Sequence, residues 1–363
     1  MTKIAYMYPI RNRVSFTYIG KFHADLLRKA FDVDEIDLLN YYLADSDYDI
    51  VVTHPIFYPF THKNPLLFCE RLGQLERIRE QAPVLVGFEV TDSDKIADYC
   101  VEIVNSFYDA VIVPSTFSCR VMYNSGVRKP CYVVPHGIHP ELLKADPDKA
   151  EMRNYDLRYA YETKRNLKRY YVLFFLWHSG WRKGADIVAD AMKIVQSKRP
   201  DVVLVIKCVN PVEPFLKYFR GLKTILVRGW LTWNELALLY RLADVSVCPS
   251  RGGGFELNAL ESIAMGVPTI AHAYGCFADY SRFLITAKAD YGTKVIPDNH
   301  IHIGKGWTVD ANALAEKIID IIDNYEEYKA KFEKYAEEVR KIYNWERIGD
   351  LLINMFSKLI KKR

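Results

Sequence analysis

The chain has 363 residues, enough for two domains of ordinary size, each able to bury its own core. Lys plus Arg less Asp plus Glu is 49 − 45 = +4 and charged residues are 26% of the total, an ordinary balance that argues against nucleic acid, which would want a concentrated basic face. Cys69, Cys100, Cys119, Cys131, Cys208, Cys248 and Cys276 are scattered with no CxxC pair, so buried thiols in a reducing compartment are expected rather than disulfides or zinc.

The first residues already read as a strand, which leaves no room for a signal peptide, and no apolar run approaches the ~18 residues of a membrane span. A cytoplasmic location is expected. Strand signals follow at 3–8, 33–39, 49–54, 84–90, 109–114 and 131–135. Helical stretches lie between them near 16–31, 65–80, 93–106 and 116–124. This alternation of short apolar strands with helices predicts a parallel sheet covered on both faces. Ligands of such sheets gather at the carboxyl ends of strands, here 9–14, 54–58, 89–94 and 135–138.

Within those loops, the stretch from Arg11 through Asn12 and Arg13 to Gly20 and Lys21 carries positive charge on its Arg and Lys side chains. Asp92, Ser93 and Asp94 precede a helical run, so they read as N-cap and first-turn acids rather than as an Asp-x-Asp metal site. Glu89 ends an apolar strand, either facing a cleft or held by structural hydrogen bonds. His136 and Gly137 form a sharp turn. From 141 to 169 the chain becomes polar and charged, which marks a domain boundary near 150.

A second alternating series opens with the apolar run 170–177. His178 through Gly184 form a turn, and a helix with the stripe Val188, Met192 and Val195 follows. Arg182 and Lys183 then sit at a helix start, where a cation is unfavourable by roughly 0.3–1 kcal/mol unless an anion such as a diphosphate is bound. Strand 202–208, a helix near 212–220, strand 224–227, a turn at Arg228 and Gly229, and a helix to Leu242 come next.

The strongest pattern runs from Cys248 to Pro268. A buried strand at 244–248 leads into Gly252, Gly253 and Gly254, which allow close backbone approach to a ligand. The helix beyond carries the stripe Leu257, Leu260 and Ala264, with Gly266 and Pro268 as stop signals. Strand, glycine turn and helix together aim N–H groups at one point that suits phosphate. Glu256, read here in the first helical turn, and Glu261, about 140° further round, suit sugar hydroxyls better than phosphate. A phosphate flanked by sugars is a nucleotide-sugar.

Beyond Pro268 come a strand at 269–272, the alternating pair His300 and His302, and three helices over 309–324, 325–343 and 345–362. The last of these ends in a basic amphipathic run from Lys358 to Arg363 that suits peripheral contact with an anionic membrane.

The 253–268 stretch resembles the signature of family 4 retaining glycosyltransferases of the GT-B fold, Glu-x-Phe-Gly-x-x-x-x-Glu-Ala-x-Ala-x-Gly-x-Pro. Phe255, Glu261, Ala264, Gly266 and Pro268 fall in register. Gly253 stands where the first Glu is expected, Glu256 where a Gly is expected, and Ser262 replaces a small Ala. Lys183 and Gly184 match the family's Arg-x-x-x-x-Lys-Gly segment, with His178 at its Arg position. Residues 133–138 are similar to the segment that closes the family's first domain.

The resemblance implies α/β architecture of GT-B type. An acceptor-side Rossmann-like domain would occupy 1–150 and a nucleotide-sugar-binding domain 151–340, facing a central cleft. A final helix at 341–363 would return to the first domain. It implies transfer of a hexosyl group with retention, no metal and no cofactor, from a UDP-, GDP- or ADP-sugar to a glycan, lipid or protein hydroxyl.

Catalytic roles would fall to Lys183, Arg182, Glu256 and Glu89. Donor contacts would come from Glu261, Gly253, Gly254, Phe255, Leu257, Gly180, Gly229 and His136. The base would lie near 228–231. Alternatives are a non-catalytic nucleotide-sugar-binding module, suggested by the missing first Glu and by the lack of a His at 89, and a nucleotide-sugar epimerase of the same fold.

Overall fold

Runs of Val, Ile and aromatic residues too short for a buried helix pair side by side as strands. The computed structural model describes residues 1–12, 14–40, 42–43, 47–176, 179–209 and 213–361. They form two compact units. The first comprises Met1–Gly137, Pro297–Gly304 and Tyr343–Arg363, and the second Ile138–Ile296 and Lys305–Ile342.

The first unit holds a six-stranded sheet of β1 (Lys3–Tyr8), β2 (Asp32–Asp37), β3 (Ile50–Thr53), β4 (Val84–Phe88), β5 (Ala110–Val113) and β6 (Cys131–Val133). Every pair is parallel, in the order β2-β1-β3-β4-β5-β6. Strands β3, β4 and β5 are buried throughout, whereas the edge strand β2 is acidic and half-exposed, which discourages further pairing. The helix Trp345–Lys361 packs on the helix Ser15–Leu27. Gly349 allows the close approach, since a Cβ there would meet Leu26 at 2.8 Å. Trp345 stacks on Phe22 with ring centroids 4.5 Å apart.

The second unit holds β7 (Tyr170–Phe175), β8 (Val202–Cys208), β9 (Thr224–Arg228), β10 (Val245–Val247), β11 (Thr269–Ala271) and β12 (Ile285–Thr286). Their order is β12-β11-β10-β7-β8-β9, again all parallel. The order reverses direction between β7 and β10. A doubly wound sheet opens a crevice at such a point, beyond the strand carboxyl ends. The loops after β7 and β10 carry Ser179–Gly184 and Pro249–Phe255, and the site follows from that placement. An antiparallel pair, β13 (Ala289–Lys294) and β14 (Lys305–Val309), completes this unit.

Several local expectations are corrected. The polar stretch 141–169 does not hold the domain boundary. It forms the helices Pro140–Lys144 and Tyr155–Leu167, and the first packs on the helix Trp233–Leu242, so the division falls at Gly137 rather than near 150. The helix expected from 93 begins only at Asp98, with Ala97 as N-cap. Asp92 and Asp94 therefore lie ahead of the helix rather than at its N-cap and first turn. Ser93 instead donates to the Lys95 carbonyl at 2.9 Å and accepts the Gly304 N–H at 3.0 Å.

His302 forms an isolated bridge with Ile96 rather than a strand, and His300 lies 3.2 Å from the Phe60 carbonyl. Among the described residues no group of three or more His, Cys, Asp or Glu side chains is arranged to hold a metal ion. No described helix is long and apolar enough to cross a membrane. Arg13, His178, Val212, Lys362 and Arg363 lie outside the described residues.

Candidate active site

At the β7 switch point the chain does not pass directly into a long helix. Gly180–Lys183 is a single helical turn, closed by Gly184 in the left-handed region at φ 76°, and the helix Ala185–Lys198 starts beyond it. Arg182 and Lys183 thus end a short turn instead of opening the long helix, a correction to the sequence reading. Glycine is required at 184, because a Cβ there would meet the Pro249 carbonyl at 2.5 Å. Gly180 lies against the ring of Phe215 and has no room for a side chain either.

At the β10 switch point Gly252, Gly253 and Gly254 lead to Glu256, whose backbone is left-handed at φ 58° and ψ 64°. Glu256 is the N-cap of the helix Leu257–Ala264 and not part of its first turn, so the 140° relation to Glu261 does not apply. The Tyr280 hydroxyl holds this turn, 2.9 Å from the Phe255 carbonyl and 3.2 Å from that of Glu256. Phe255 is buried against the Tyr280 ring, and Leu257 is half-buried.

The Glu256 carboxylate, only 1% exposed, turns back onto the two cations. Lys183 Nζ lies 2.5 Å from Oε2 and Arg182 3.6 Å from Oε1. Arg182 also donates to the Gly252 carbonyl at 3.1 Å. The Cys248 thiol, pushed up to about 12 by burial and by the neighbouring carboxylate, donates towards Oε2 at 3.6 Å. A Cβ built on Gly253 would run into the Glu256 carboxylate. The Glu256 carboxylate therefore lies directly against Gly253, where a side chain at 253 would begin.

Glu261 is half-buried on the same helix, and its Oε2 accepts the Tyr240 hydroxyl at 2.9 Å. Burial raises this carboxyl to about 7, against the lowering effect of Tyr240. Gly229 has φ 78° with open space around it. Its carbonyl accepts Lys207 Nζ at 2.5 Å, and burial lowers that ammonium to about 8. Lys207 escaped the sequence reading, although a lone Lys in the apolar strand Val202–Cys208 was the signal.

Arg251 escaped it too. It is buried, pairs with Asp186 at 2.6 Å, and takes the Arg182 carbonyl on its own N–H at 2.7 Å. It ties the two loops together. His272 is a neutral brace: burial lowers it to about 4, Nε2 donates to the Ser250 carbonyl at 2.9 Å, and Nδ1 accepts the Tyr274 N–H at 3.1 Å.

Glu89 and His136 belong to the first unit. The Glu89 carboxylate accepts the Phe57 and Val90 N–H groups, each at 2.8 Å, while burial raises it to about 8. His136 is buried 5.7 Å from the Phe88 ring and is held well below its ordinary value by burial.

Comparison with known proteins agrees with this fold. Residues 169–324 match the family model described as "Glycosyl transferases group 1". The chain is 33% identical over 362 residues to uncharacterized protein 356 of Sulfolobus islandicus rod-shaped virus 1, covering 98% of each. It is 25% identical to putative glycosyltransferase 45 of Sulfolobus islandicus filamentous virus over 268 residues, 72% of this chain and 70% of that one. Among solved structures it is similar to Anabaena HepE in complex with UDP-glucose, with TM-score 0.69 and 15% identity, covering 99% of this chain and 100% of that one. Two parallel six-stranded sheets, the cations and carboxylates at one switch point, and these matches converge: the chain belongs to the group 1 glycosyl transferases and is a glycosyltransferase of GT-B fold.

Proposed function

We propose that this enzyme transfers a hexosyl group from a nucleotide-diphosphate-sugar to an acceptor hydroxyl, with retention at the anomeric carbon and with neither metal nor cofactor. The observation that carries the reading is the Gly253–Glu256 exchange. It returns a carboxylate to the space above the glycine turn, in contact with both cations.

As the bond from the anomeric carbon to the diphosphate breaks, negative charge grows on the departing oxygen. Lys183, Arg182 and the N–H groups opening Leu257–Ala264 stabilise it. The acceptor oxygen bonds to the same face of that carbon, and its proton passes to the departing phosphate oxygen. Glu256 accepts hydrogen bonds from donor-sugar hydroxyls, Glu261 from the ribose, and the Gly229 turn borders the base.

The test follows release of nucleoside diphosphate from UDP-, GDP- and ADP-glucose with a mixture of sugar acceptors, the UDP donor first because HepE was solved with it. One donor is expected to turn over equally in excess EDTA, with the product retaining the donor's anomeric configuration by NMR. Loss in EDTA restored by magnesium or manganese rejects the charge assignment, and an inverted product rejects retention.

A further inference from the structure

An aromatic surface adjoins the glycine turn, and no step above uses it. It is rooted in Arg251, whose guanidinium stacks on Trp181 at 3.6 Å and whose carbonyl accepts the Trp307 N–H at 3.0 Å. The Trp307 ring lies nearly parallel to Tyr274, centroids 5.7 Å apart with planes at 12°, and 5.5 Å from Tyr291. Tyr274 continues in the other direction to His272, at 6.0 Å.

The chain makes room for this stack. Gly275 has φ 59°, and a Cβ there would press on the Trp307 ring at 3.1 Å. The Trp181 indole N–H donates to the Lys294 carbonyl at 3.1 Å, which fixes the β13–β14 hairpin to the loop bearing Arg182 and Lys183.

Rings assembled only to fill a core would be buried, yet Tyr291 is 57% exposed and Tyr274 48%. Asp290, Lys294 and Lys305 are exposed around them, and the Thr293 and Thr308 hydroxyls pair at 2.7 Å. An aromatic face of two near-parallel rings, with Tyr291 tilted at 54° against Trp307 and a polar rim around them, matches a pyranose ring, which has an apolar C–H face and an edge of hydroxyls. A lipid tail would gain nothing from the rim.

We propose that Tyr274, Tyr291 and Trp307 form a glycan-binding platform, seating pyranose rings of an acceptor oligosaccharide beside the donor site. The identity of the occupant rests on the transferase reading above, through the continuity of the platform with the glycine turn at Arg251. Binding at the platform itself is measured without a donor.

The experiment titrates the full chain with maltoheptaose, cellohexaose and N-acetylchitohexaose, reading tryptophan fluorescence and calorimetry in parallel with UDP binding. At least one oligosaccharide is expected to bind. Tyr291→Ala and Tyr274→Ala should each weaken it at least fivefold, Tyr291→Phe should retain it, and UDP affinity should not change. The platform is overturned if none of the three binds the wild type, or if both alanine variants bind as the wild type does. It is also overturned if only phosphatidylglycerol vesicles bind. Oligosaccharide binding with no affinity for any nucleoside diphosphate leaves the platform standing and rejects the donor reading.

Discussion

Glu256 occupies a backbone conformation that costs an L-residue roughly 1–2 kcal/mol, and the chain retains it there. Gly253, with no such need, carries no side chain. Exchanging the two should be tolerated. Gly253→Glu alone would crowd a second carboxylate onto the first and lose turnover, whereas Gly253→Glu with Glu256→Gly should recover turnover and gain stability. Turnover and urea unfolding of the single and double variants decide this, and a double variant no better than the single one rejects the shared position.

Glu256→Gln alone should keep nucleoside-diphosphate affinity, because it releases both cations, yet lose turnover. Glu261→Ala should lose affinity by about 1–3 kcal/mol. Lys183→Ala should weaken diphosphate binding by about 1.5–3 kcal/mol. It should also destabilise the fold, since it leaves a buried carboxylate short of a partner. Adding Glu256→Gln should restore the stability and not the binding, as thermal melts beside calorimetry would read out. The exchange of residue types was legible in the sequence. The left-handed φ that makes it work was not, because nothing in the neighbouring composition dictates that sign for a Glu.

At the scale of elements, the legible parts were those set by periodicity, and the illegible ones those set by a single turn. The strand runs and the stripe Val188, Met192 and Val195 were found where they lie. The one-turn helix Gly180–Lys183 was not, because four residues carry no period and the break at Gly184 depends on contact with distant Pro249. The helix ending at Leu242 was legible, but the signature of its start went unread. Thr232 and Glu235 form a reciprocal capping box, and Glu235 also accepts the Asn154 N–H at 2.9 Å. Asn154 in turn holds the Arg228 carbonyl at 2.7 Å, so the polar stretch 141–169 steadies the turn at Gly229.

Gly184 and Gly229, both left-handed, should respond differently to substitution. At Gly229 a Cβ meets nothing, so Gly229→Ala should cost only the conformational preference, about 1–2 kcal/mol. At Gly184 the same change adds a collision with backbone and should cost more, with loss of turnover. Urea unfolding of the two variants compares them directly, and equal costs would show that the Pro249 contact relaxes freely.

At the scale of the whole chain, the architecture was legible because parallel strands buried on both faces announce themselves, and the loops of the candidate site were legible because a switch point fixes which loops matter. What sequence could not show was the company kept by three histidines. His23, His54 and His136 are far apart in the chain yet buried together around Phe88 in the first unit. The Tyr6 hydroxyl lies 2.8 Å from His23 Nδ1 and 2.9 Å from His54 Nδ1. One hydroxyl donates only once, so at least one of the two rings carries its proton on Nδ1.

Burial lowers all three rings, His23 to about 3, from an ordinary value of 6.5. Because the folded values lie below the unfolded ones, the neutral rings' contribution is complete above pH 6.5 and is lost as pH falls towards the folded values. Glu89 acts with the opposite sense. Its folded value near 8 lies above 4.5, so its contribution is complete below pH 4.5 and is lost as pH rises through 8. At pH 5 each ring that stays neutral should have surrendered about 2 kcal/mol relative to neutral pH. Thermal melts of the full chain from pH 8 to 5 should therefore show stability falling steeply below 6.5. His23→Gln, which keeps a partner for Tyr6 but cannot be charged, should flatten that slope, whereas Glu89→Gln should flatten the alkaline side and steepen the acid side, because Glu89 opposes the rings between pH 4.5 and 8. An acid slope as steep in His23→Gln as in the wild type would mean that acid unfolding begins elsewhere, and that the buried rings stay neutral without governing it.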